Sequence, residues 1–157
     1  MRKNKGITLI SLIITIIVML ILASVIIRSM DGSNSTTKTA SSSNKIFELE
    51  EVQQAVLETY IKYKQTNNSD YLVGDACSES ILLEYENEFG EIQFKDRTDD
   101  KINYKNYYML NNKEYLNSLG IRNSEDYYIV NYQTGEVFNY TSKIDSNGKV
   151  LYVDAKE

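Results

Sequence analysis

The chain has no histidine, no proline and no tryptophan, and only one cysteine among its 157 residues. Without histidine, the commonest general base and metal ligand at neutral pH is missing. With Cys77 alone, no intrachain disulfide can form, so a body outside the cell has to be held by its core. Without proline, nothing obligatorily kinks a long helix. Charge is also missing from one place: no Asp, Glu, Lys or Arg occurs between Ile7 and Ile27. Of those 21 residues, 15 are Ile, Leu or Val, and the polar exceptions are Thr8, Ser11, Thr15 and Ser24. Arg2, Lys3 and Lys5 precede the run, and all 22 acidic residues and all 13 tyrosines follow it. The formal net charge is −5, and an acidic body argues against nucleic acid as a direct partner, because such binding neutralises phosphates with Lys and Arg.

A helix of 21 residues is about 31 Å long, which matches a hydrocarbon core of about 30 Å. Fifteen aliphatic residues at roughly −0.3 to −0.6 kcal/mol each favour insertion by several kcal/mol. The positive-inside rule then expects the N-terminus in the cytoplasm and the acidic C-terminal part outside, as a single-pass cytoplasmic membrane protein. The run is too long for a cleaved secretory signal, and Ile21 two places before Ala23 spoils a small-x-small site. Cys77 is too distant for a lipoprotein anchor.

The order Lys5-Gly6-Ile7-Thr8-Leu9-Ile10, followed by an uninterrupted apolar run, resembles the processing site of type IV pilins and pseudopilins. The resemblance implies a basic leader 1–6, cut between Gly6 and Ile7 by a prepilin peptidase that methylates the new N-terminus. It also implies that the apolar helix packs with other pilin subunits, with Leu9, Ile10, Ser11, Leu12, Ile13 and Ile16 as contact positions. Gly6 suits such a site, since it offers no side chain and lets the backbone unwind. Ser11 departs from the family pattern, which usually has Glu there. A carboxylate in lipid is costly and docks strongly when neutralised by a neighbour's amine, whereas a hydroxyl makes a weaker contact. The resemblance therefore points to a minor subunit of a pilus, secretion or DNA-uptake filament, at the cell surface after assembly. A single-pass anchored binding or adhesion module that does not polymerise is the competing reading.

Beyond a membrane and assembly segment at 7–30, residues 31–44 are rich in Ser, Thr, Asn and Gly, which compete for helix hydrogen bonds. A polar hinge or linker is expected there, with the helix weakened or broken between Asp31 and Ser43. Residues 45–157 read as an extracytoplasmic globular domain. In it Ile46, Leu49, Val52, Val56, Tyr60 and Tyr63 recur at helical spacing, so a helix spine is expected, with Glu48, Glu50 and Glu51 near its start and Asn67–Asp70 ending it. A short helix is expected over Ser78–Gly90, a strand at Glu91–Lys95 and another at Lys105–Leu110, then a helix at Asn112–Leu119. The segments Asp126–Tyr132, Glu136–Tyr140 and Lys149–Val153 should form a meander through turns at Gly135 and Asn147-Gly148. The fold class is α+β: a long N-terminal helix packed on a small C-terminal antiparallel sheet.

No catalytic constellation is legible, and no cofactor or metal is expected. Acidic neighbours disfavour a Cys77 thiolate, so it reads as a buried filler. Asp145–Lys149 faintly resembles a calcium loop, but a hairpin turn accounts for it. The strand tyrosines Tyr104, Tyr107, Tyr108, Tyr127, Tyr128, Tyr132 and Tyr140 offer contact surface for proteins or sugars wherever alternation exposes them, although β-propensity alone explains their number.

Overall fold

The computed structural model describes residues 5–90 and 92–156, with side chains described for 12–19, 41–90 and 92–156. The chain divides into two compact units, Met1–Ser41 and Ser42–Glu157. Helix α1 is assigned from Lys5 to Thr66. Its helical backbone passes through 31–43, in place of the weakened or broken stretch expected there, while the division between the units falls inside that tract. Because the helix begins far upstream, Glu48, Glu50 and Glu51 do not sit at a helix N-terminus, and their expected dipole role lapses. The other end behaves as expected: Lys64 lies in the last turn, and Asn67 takes a left-handed φ of 52° while its N–H donates to Tyr63 O at 2.7 Å.

The second unit is α+β. After α1 come β1 (Asp75–Ala76), α2 (Glu79–Glu88), β2 (Arg97–Thr98), β3 (Lys101–Ile102), β4 (Tyr107–Leu110), α3 (Lys113–Ser118), β5 (Tyr128–Asn131), β6 (Val137–Asn139) and β7 (Tyr152–Val153). Five strands form one antiparallel sheet in the order β1-β4-β5-β6-β7. The expected meander is present, since β4 to β7 follow chain order. The small hairpin β2–β3 stands apart, and its two-residue turn places both Asp99 and Asp100 at positive φ.

The period-2 alternation of the strands divides the core into two layers. On one face Leu110, Tyr128, Val130 and Val137 pack with Leu49, Val52 and Val56 of α1. On the other, Tyr107, Met109, Ile129 and Phe138 pack with Leu82 and Tyr85 of α2 and with Ile92 and Phe94. The expected spine is therefore real, although its first member, Ile46, remains 45% exposed. The strand expected at Glu91–Lys95 is absent over its described residues 92–95. Their backbone bonds to side chains instead: Phe94 N–H donates to Glu86 Oε1 at 2.7 Å, and Lys95 N–H to Glu136 Oε1 at 2.8 Å.

The β5–β6 turn is locked onto α1. Gln53 Nε2 donates to Gly135 O at 2.7 Å, and Leu57 lies so close that a Cβ on Gly135 would sit 2.8 Å from Leu57 Cδ2. Gly135 also has φ +78°. Gly135→Ala is expected to destabilise the unit by about 2–3 kcal/mol, through backbone strain plus contact with Leu57. Gly148→Ala, which meets nothing within 4 Å, should cost about 1 kcal/mol. Denaturant unfolding of the two variants side by side checks the ranking.

Candidate functional site

The positions expected to carry function by resemblance all fall at the start of α1. Gly6 and Ile7 have helical backbone at the first described residues of α1. The side chains of Gly6, Ile7, Leu9, Ile10 and Ser11 lie outside the described residues. Leu12, Ile13 and Ile16 are described, and they are 61%, 47% and 50% exposed. So is every residue from Leu12 to Met19, a stretch of more than two turns that faces all directions. A helix apolar on every side needs lipid or other protein around it. Its one polar residue, Thr15, turns its hydroxyl back to donate to Leu12 O at 2.8 Å. Among the residues whose side chains are described, which include only 12–19 of the run 7–27, no helix is long and apolar enough to cross a membrane.

Three carboxylates of the second unit each anchor an internal hydrogen-bond network. Asp126 is buried, and its carboxylate accepts from Lys45 Nζ of α1, from Asn139 Nδ2 at 2.9 Å and from Ser142 Oγ at 3.1 Å. Burial opposes charge on Asp126, but these donors, led by Lys45, outweigh it and hold the carboxyl below its ordinary 3.8. Lys45 is in turn held protonated: burial works against the ammonium, and Asp126 and Glu48 more than compensate. The second network is centred on Glu136, which has no exposed surface. Its Oε2 accepts from Tyr107 Oη at 2.7 Å and Thr134 Oγ1 at 2.8 Å. Tyr107 Oη also accepts from Asp96 N–H at 3.2 Å, and burial together with the Glu136 charge pushes its phenol far up. The third gathers Asn103, Asn106 and Asn131 amides onto Asp96. Burial works against an ionised Asp96, and the amides reverse that and hold it low.

Sequence reading missed the inward carboxylates. The signal was present in Glu136–Tyr140, where alternation puts Glu136 on the same face as the buried Phe138. For Asp126 no such pattern exists, since its partner Lys45 is 81 residues away.

These arrangements bind structure together. Cys77 is buried, and its thiol is pushed up to about 12 by burial and then by the charge of Asp75. Among the described residues no group of three or more Cys, Asp or Glu is placed to hold a metal ion. Asp145 Oδ1 is occupied by the N–H groups of Asn147 and Lys149, at 2.7 and 2.9 Å, which makes 145–149 a side-chain-braced hairpin bend. Of the tyrosines considered for surface contact, Tyr107, Tyr128 and Tyr132 are buried, Tyr104 and Tyr108 are half-buried, and Tyr127 and Tyr140 are exposed. Comparison of the chain with protein-family models, with curated proteins and with solved structures finds no match in any of the three.

Two outcomes follow. Tyr107→Phe removes a donor from Glu136 and an acceptor from Asp96 N–H, and should cost about 1–3 kcal/mol in denaturant unfolding. The depressed Asp126 carboxyl contributes stability that is complete above its unfolded value near 3.8 and is lost as pH falls through its lower folded value. Asp126→Asn should therefore lower stability at pH 7 by about 2 kcal/mol. It should also flatten the acid limb of a Tm-against-pH profile below pH ~4.

Proposed function

We propose that the chain is a type IV pilin-like or pseudopilin-like structural subunit, cut after Gly6 and assembled through its apolar N-terminal helix into a pilus, secretion or DNA-uptake filament as a minor component. The observation that carries this reading is the order Lys5-Gly6-Ile7-Thr8-Leu9-Ile10 at the head of a charge-free run of 21 residues. Two features support it. Residues 12–19 leave an apolar helical surface open in every direction, and the second unit pairs a helix with a small antiparallel sheet.

On this reading Gly6 and Ile7 serve processing, and Leu9, Ile10, Leu12, Ile13 and Ile16 serve packing against lipid before assembly and against other subunits afterwards. Ser11 gives each subunit a hydroxyl where a carboxylate would lock onto a neighbouring amine. The chain then joins a filament chiefly through apolar contact, which suits a subunit present in few copies. The body lies outside the cytoplasmic membrane, and prepilin peptidase is the processing partner.

Intact-mass and N-terminal analysis of the protein from cells with an active prepilin peptidase checks this. The expected species begins at methylated Ile7, and Gly6→Leu should leave the chain uncut. A chain that retains Met1–Gly6 would instead favour an anchored binding module that does not polymerise.

A further inference from the structure

We draw no further inference here: the strongest candidate, the exposed apolar patch at Ile46 and Phe47 of α1 beside the cleft lined by Leu49, Val150 and Leu151, carries nothing, because nothing in the structure shows what covers it.

Discussion

A carboxylate with no exposed surface has to find its donors inside the protein, and the second unit is arranged around that requirement at Glu136. An unpaired buried carboxylate would cost several kcal/mol, so the unit folds only with Tyr107, Thr134 and the Lys95 N–H in place around it. Those donors come from a central strand, from the β5–β6 turn and from the segment before β2. One side chain thus fixes the register of β4 against the turn and holds an irregular segment against the sheet. The irregular segment brings Phe94, whose ring packs edge-on to Tyr107 at 5.0 Å and against Phe138 at 4.6 Å. Polar satisfaction and aromatic packing are in this way the same constraint.

The second constraint acts through α1. Its buried stripe is apolar at Leu49, Val52 and Val56, but two polar residues set its orientation. Lys45 reaches Asp126 before β5, and Gln53 reaches Gly135 and Asp154 at the far side of the sheet. Apolar burial is nondirectional and would tolerate a helix shifted along the sheet. The hydrogen bonds are directional and do not.

Much of this was readable in advance where local chemistry dominates. The 3–4 spacing of Leu49, Val52 and Val56 and the Gly135 and Asn147-Gly148 turns each carry their reason within a few residues, and each corresponds to an observed element. Where distant groups decide, reading failed. Residues 92–95 alternate like a strand, yet carboxylates of Glu86 and Glu136 take their N–H groups. The Asp99-Asp100 turn went unnoticed because two acidic residues at positive φ lack the glycine that normally marks such a bend. Residues 31–43 have helical backbone and yet hold the division between the two units, in keeping with Ser, Thr and Asn disfavouring helix by only tenths of a kcal/mol each. The residues proposed for processing rest on resemblance alone.

The contacts that hold α1 to the sheet are strung along its length rather than gathered at one end. Ser42 meets Ser146, Lys45 meets Asp126, Gln53 meets Gly135, and the apolar stripe fills the intervals. A pull along the helix axis therefore loads all of them at once, in shear. A pull across the axis would open them one at a time, beginning at Ser42. Within this unit, tension along α1 is therefore resisted better than tension across it.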